Sequence, residues 1–243
     1  MATFGSSAES FFDAGYVKYK EGEKTTSNME RKKAFNEALS LYLHQVSAQP
    51  SGYLLYNIGN CYFQLQEYGL ARLYYERAKT ELPRFRQIPT NIHTTIVKAG
   101  IELQVSEKSH FWKTFFLVSY FSYFEKELIF LAACLFAFAF ASLYLWLEIS
   151  AFRHLRNISL AIGVLVGCVL LYCTYLTPLE AIVLQPVSLS QGPGSRYAAV
   201  MENPLLPAEK VQVIEIIENG SWLFVETGGK EKGYISGINA RVI

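Results

Sequence analysis

Two long stretches of the chain carry no charged residue. One is Leu128–Leu147 (LIFLAACLFAFAFASLYLWL); the other is Asn157–Leu179, with ISLAIGVLVGCVLLYCTYL at its heart. Twenty helical residues rise about 30 Å, the thickness of a bilayer's hydrocarbon core. A helix in a soluble core rarely stays apolar on every face, as these do. The pattern predicts two membrane-spanning helices, 128–149 and 157–177. The loop between them, 150–156, holds Arg153, His154 and Arg156. Two crossings return the chain to the side it left, so whatever precedes and follows the hairpin shares one compartment. Lys108, Lys113 and Lys126 lie before the hairpin and Arg153 and Arg156 within it, so the positive-inside rule does not choose the side.

Ahead of the first span runs HFWKTFFLVSYFSYF (His110–Phe124), crowded with aromatic rings. Such rings favour the membrane–water interface, which predicts an amphipathic interfacial segment over 106–127. A core helix under the N-terminal region is the other reading.

Residues 1–105 read as helical. Leu55, Ile58 and Tyr62 recur at helical spacing on one face, and Gly59 and Ala71 are small enough for two antiparallel helices to approach closely. Gln66-Glu67-Tyr68-Gly69 supplies a turn, and Pro83 stops the second helix. With Tyr75 and Ala78, these positions resemble the 34-residue tetratricopeptide repeat. A degraded copy lies upstream in Ala38, Tyr42 and Pro50, with Ala14-Gly15 opening its first helix. Its two helices are separated by Lys24–Lys33, read as a solvated loop or helix extension rather than a basic binding site. Pro89–Gln104 predicts an amphipathic helix that caps the stack. The resemblance implies a groove lined by the first helices, with Tyr53, Tyr56, Asn57, Asn60, Phe63 and Gln64 as candidate peptide contacts. Alternatively, Asn57 and Asn60 serve only inter-helix packing.

After Pro178 the period changes to two. Ala181–Leu189, Val211–Ile217, Trp222–Glu226, Gly233–Ile235 and Ala240–Ile243 read as strands. Gln191-Gly192-Pro193-Gly194, Asn219-Gly220 and Gly228-Gly229 mark turns. Five short strands over 181–243 can close into a small barrel. The order of VQVIE, NGSW, the glycine turn, KGYIS and RVI resembles the bacterial SH3 domain, and makes Trp222 and Tyr234 further candidate contacts. Ser236 stands where binders of proline-rich peptides carry proline, so that ligand is not expected.

Composition narrows the chemistry. Net charge is +1, which gives no reason to expect nucleic acid. Charged residues are 18% and aromatics 15%, the charge deficit concentrating in the two apolar stretches. Three of the four cysteines (Cys134, Cys168 and Cys173) fall in or beside those stretches, and only Cys61 lies elsewhere, so no disulfide framework is read. The opening residues MATFGSSAESFF carry neither a basic start nor an apolar run, so no signal peptide is read there. The four histidines are scattered, and GGKEKG (Gly228–Gly233) has the wrong spacing for a phosphate loop. No catalytic residue, cofactor or metal site is expected.

The sum is a multidomain membrane protein: an all-α tetratricopeptide-repeat domain, a two-helix transmembrane hairpin and a small all-β SH3-like barrel, the two soluble parts folding as separate modules. That order, with YNIGNCYFQLQEYGLARLYYERA in the repeat, resembles the BatE proteins of bacterial aerotolerance (Bat) operons. The resemblance implies a two-pass protein of the bacterial inner membrane with both soluble domains in the periplasm. Its partners would be von Willebrand A-domain membrane proteins and, indirectly, a MoxR-type ATPase. A scaffold or adaptor is the expected function. A cell-envelope attachment protein whose barrel binds peptidoglycan peptide is the alternative, and a cytoplasmic adaptor with the hairpin inverted is a third.

Overall fold

The computed structural model describes residues 4–102, 120–194 and 196–243, with side chains from Phe12 onward except at Ala48. They form two compact units, Met1–Ser106 with Pro178–Ile243, and Glu107–Thr177. Of the aromatic segment proposed at 106–127, the part up to Ser119 lies outside the described residues.

The first unit opens with five helices: α1 (Phe4–Lys24), α2 (Asn28–Ala48), α3 (Gly52–Gln64), α4 (Tyr68–Glu81) and α5 (Gln87–Lys98). They pack in chain order, α1 on α2, α2 on α3, α3 on α4 and α4 on α5. One device recurs. A Cβ at Gly15 would sit 2.6 Å from the Tyr42 ring, and one at Gly59 would sit 2.7 Å from the Tyr75 ring. Bare backbone lets each tyrosine reach the interior, where Tyr42 and Tyr75 are both 1% exposed. Around them lie Ala38, Leu54, Ile58 and Cys61 on one side and Ala71, Ala78, Ile88 and Ile92 on the other. A fully buried isoleucine such as Ile88 stabilises by about 1.5–3 kcal/mol.

The helix boundaries have local causes. The Ser51 hydroxyl caps α3 by accepting from Leu54 N at 3.3 Å. Gln66, at φ 66°, closes the α3–α4 turn, so Tyr68 and Gly69, expected in that turn, belong to the first turn of α4. The segment 24–33 is mostly helical: α1 runs to Lys24, and only Thr25–Ser27 separate it from α2. The capping helix stops at Lys98 rather than at Gln104. Gly100 takes φ 78°, and the bonds Gly100 N to Val97 O and Ile101 N to Ile96 O make a Schellman stop.

The same unit contains a five-stranded antiparallel sheet: β1 (Leu179–Val183), β2 (Lys210–Ile217), β3 (Trp222–Glu226), β4 (Lys232–Ser236) and β5 (Ala240–Val242), in the order β4-β3-β2-β1-β5. Leu223 and Val225 alternate inward to join Val211, Val213 and Ile235 in its core. The ladder is an open sheet, with β4 and β5 at its edges. The expected first strand, Ala181–Leu189, ends early at Val183. Pro186 has no N–H to donate, and the chain beyond it returns only as isolated bridges. One of these matters: Ser190 exchanges both backbone bonds with Tyr234, at 2.9 and 2.8 Å, and so covers part of the β4 edge.

Sheet and helices are not separate modules. Gly69 lies so close to the strand β1 exit that a Cβ there would sit 2.6 Å from the backbone of Leu184. Along the same face of α4, Arg72 Nη1 donates to the Ala208 carbonyl at 2.5 Å, and Arg77 donates to the Val242 carbonyl at 3.3 Å. Glu76 faces Arg72 at 3.6 Å and Lys210 at 3.5 Å, and Lys210 also pairs with Glu180 at 2.7 Å. Burial pulls the Arg72 guanidinium below its ordinary value, and the Glu76 carboxylate opposes that.

The second unit is a helical hairpin, α6 (Tyr123–Leu147) and α7 (Ser150–Leu171), the latter continued by a widened π-helical turn at Tyr172–Leu176. Ser122 and Glu125 form a reciprocal capping box at the start of α6. Only Glu148 and Ile149 connect the helices, Glu148 at φ 52°. The loop expected at 150–156 is therefore the first two turns of α7, which carry Arg153, His154 and Arg156. Helix continues there because no glycine or proline interrupts it. Ala133 faces Gly163 along the seam, where Ala137 and Val166 are also buried, as small residues are between closely packed apolar helices. Val169 and Lys126 are also buried, but most of the rest points outward: only 11% of the apolar stretch of α6 and 22% of that of α7 is buried. Both helices are long and apolar enough to cross a membrane.

Gly69 and Gly163 make a paired test. Gly69→Ala drives a methyl into backbone that cannot step aside, and should cost about 1–3 kcal/mol. Gly163→Ala meets Ala133 at 3.7 Å, an ordinary contact, and should change little. Thermal unfolding of the full chain in detergent, followed by circular dichroism, reads both.

Candidate functional site

The leading helices α1, α3 and α5 enclose a cleft of about 610 Å³. The helical period places its α3 wall. Leu54, Ile58 and Cys61 turn into the core, which leaves Tyr56, Asn57, Asn60, Phe63 and Gln64 on the cleft side. Tyr16, Tyr19, Lys20 and Glu23 of α1 and Gln87, Asn91 and Thr94 of α5 face them, with Tyr42 and Tyr75 also lining the cleft.

The cleft is wired by side-chain hydrogen bonds. Tyr75 OH donates to Asn60 Oδ1 at 2.7 Å, and Asn91 Nδ2 donates to the same oxygen and to Tyr56 OH, each at 3.1 Å. Tyr56 OH donates in turn to Gln87 Oε1 at 3.2 Å. Gln64 spans between Tyr19, to which it donates at 3.4 Å, and Arg31, from which it accepts at 2.8 Å. Asn60 is thus committed to holding helices together. Asn57 is different: it is half-buried and no hydrogen bond engages its side chain among the described residues.

Electrostatically the cleft is neutral. Lys20 and Glu23 neutralise each other at 2.6 Å. Burial pushes the Tyr19 hydroxyl up to about 12, and raises those of Tyr42 and Tyr75 further. These phenols stay protonated at neutral pH; Tyr75 donates to Asn60, while Tyr19 accepts from Gln64. Amides, phenols and rings without net charge suit an extended peptide backbone better than a charged metabolite. Among the described residues no three His, Cys, Asp or Glu side chains gather as a metal ion would need.

Of the candidate contacts, Tyr56, Asn57, Asn60, Phe63 and Gln64 share this cleft. Tyr53 does not line it; it is 55% exposed and stands edge-on to Phe85, with centroids 5.5 Å apart. Trp222 and Tyr234 lie on the sheet, on the face opposite its core, where Tyr234 packs on Phe224 at 4.8 Å. Sequence reasoning missed the α1 and α5 walls. Both had a signal: Tyr19 follows Gly15 by four residues as Phe63 follows Gly59, and Asn91-Ile92 repeats Asn57-Ile58 after 34 positions.

No protein-family model matches the chain, nor does any curated protein or solved structure.

Cys61, beside the cleft-lining face of α3 and fully buried, has its thiol pushed up to about 12 by burial. With the other three cysteines changed to alanine, maleimide should leave Cys61 unlabelled at pH 8 and label it promptly in urea, since about one thiol in 10⁴ ionises four units below its pKa. The raised folded-state values of Cys61 and Tyr19 also set a direction. An acid harder to ionise when folded contributes stability below its unfolded value and loses it above. The unfolding midpoint should therefore be flat to about pH 8.5 and fall as pH climbs from 9 toward 12.

Proposed function

We propose that the chain is a membrane-anchored adaptor, in which α6 and α7 cross a bilayer as a hairpin and the α1–α3–α5 cleft holds an extended segment of a protein partner. The observation that carries the reading is the neutral, amide- and phenol-lined cleft with one half-buried side chain, Asn57, left uncommitted. An asparagine amide can both donate to and accept from a peptide backbone.

The hairpin reading is supported by exposed apolar side chains such as Phe138 and Val164 and by aromatics at both ends of the pair. Tyr123 and Tyr175 mark the open end and Trp146 the tip. From Tyr123 to Trp146 the helix rises about 34 Å, a bilayer core between two aromatic belts. Two crossings leave the helical and sheet regions on one face. The recurring glycine–tyrosine contacts and the 34-residue spacing favour tetratricopeptide-like repeats. The sheet reads as an SH3-like second contact surface that presents Trp222, Phe224 and Tyr234. Resemblance to the BatE proteins favours a periplasmic setting, with von Willebrand A-domain membrane proteins as partners and a MoxR-type ATPase linked through them.

Two experiments test this. Reporter fusions at Met1 and at Ile243 should report the same compartment; opposite compartments end the hairpin reading. A photo-crosslinking residue at position 57 of the full chain, in membranes, should join the chain to a partner protein. The same residue at Tyr53 should give at least about tenfold less adduct, and equal yields remove the cleft from the function.

A further inference from the structure

Phe63 and Gln64 line not only the cleft but a second hollow of about 580 Å³ beside it. The hollow exists because the first hairpin overhangs the second. Helices α1 and α2 have 21 residues each, against 13 in α3 and 14 in α4. The extra length carries Asn28, Arg31 and Lys32 into one wall, and Lys98 arrives from the end of α5. Among the described residues three cations thus line the hollow and no carboxylate does.

This charge is not simply a solvated helix face. Elsewhere on the same hairpin three of the four lysines are neutralised: Lys18 by Glu21 and Glu37, Lys20 by Glu23, Lys33 by Glu37. Arg31, Lys32 and Lys98 make no ion pair among the described residues. Arg31 gives one N–H to Gln64 Oε1 at 2.8 Å and keeps donors to spare. The first turn of α2, which bears Asn28 and Arg31, adds the positive end of a helix dipole.

We propose that the hollow takes acidic side chains, or a terminal carboxylate, of the same extended peptide whose neutral stretch lies in the cleft. The ligand of the proposed adaptor is then an acidic peptide with a defined direction, and the inference rests on that adaptor reading. Continuity selects a peptide over a membrane surface. Gln64 donates to Tyr19 in the cleft and accepts from Arg31 in the hollow, so one ligand strand can meet both. A planar array of headgroups has no part that enters the cleft. The Lys24–Lys33 segment, whose composition suggested a solvated loop or helix extension, would be what sets charge specificity.

The test uses the full chain in neutral-lipid nanodiscs and three pools of labelled dodecapeptides, random except at alternate positions. Those positions hold Asp or Glu in one pool, Asn or Gln in the second, and Lys or Arg in the third. The acidic pool should bind at least about tenfold tighter than the amide pool at about 50 mM salt, the gap closing by about 500 mM as screening shortens. Arg31→Glu/Lys32→Glu/Lys98→Glu, with helicity unchanged, should transfer the preference to the basic pool. Lys32→Glu/Lys98→Glu, which keeps the Arg31–Gln64 bond, should at least abolish the acidic preference with helicity unchanged. Equal binding of the acidic and amide pools overturns this inference and leaves the adaptor reading standing. Binding of no pool overturns both. Displacement of the acidic pool by anionic-lipid vesicles overturns it in favour of a membrane surface.

Discussion

The helical stack rests on two places where a tyrosine ring meets backbone that has no side chain to keep it away. At Gly15 and Gly59 the rings of Tyr42 and Tyr75 come closer than any Cβ allows. This contact sets the spacing of both hairpins, because a helix pair can close only as far as its bulkiest facing groups permit. It also builds the cleft. The Tyr75 ring that fills the core carries a hydroxyl that donates to Asn60, and Asn60 accepts in turn from Asn91 of α5. Packing and polar wiring are thus parts of one residue. A change that loosens the ring also moves the hydrogen bonds beneath any bound ligand.

Helix α4 has a second task. Its Ala71, Tyr75 and Ala78 face the helical core, while Gly69, Arg72, Glu76 and Arg77 face the sheet. A buried guanidinium beside a buried carboxylate is weak evidence for stability, since desolvation offsets much of the attraction. What the pair does supply is register. Arg72 and Arg77 each donate to a single backbone carbonyl, Ala208 and Val242, and Gly69 admits the chain after β1 at close range. The helical cleft and the sheet surface that bears Trp222 and Tyr234 therefore belong to one compact unit, although Glu107–Thr177 separates them in the chain. For the proposed adaptor this means two contact surfaces held together, with less ordering cost on binding than a flexible tether would impose.

Individual residues explain what could be read in advance. Positions 55, 58 and 62 and the glycine at 59 indicated α3 because helical periodicity is a local property. The strands Trp222–Glu226 and Ala240–Val242 were legible for the same reason, through alternation and flanking turns. Lys24–Lys33 was harder. Its charge fits loop and exposed helix equally, and only its neighbours show that it overhangs a hollow. Arg72 and Glu76 look like an ordinary solvated pair on a helix surface, yet their side chains are 11% and 10% exposed. Leu189 lies past the proline that ends the first strand, and nothing local shows that it is fully buried in the sheet core.

By itself, then, the sequence determined most of the helices and strands, though not the helix over 150–156 or the early end of β1, and which two segments are apolar enough to cross a bilayer. Those outcomes follow from side-chain periodicity and transfer free energy summed over neighbouring residues. Only the tertiary structure decided that three leading helices close on one polar cleft, that a basic hollow adjoins it, and that the sheet docks on the outer face of α4. These depend on contacts between residues as distant as Arg72 and Ala208, or Arg31 and Gln64. No local pattern encodes such pairings, because each partner alone satisfies its own helix or loop equally well in water.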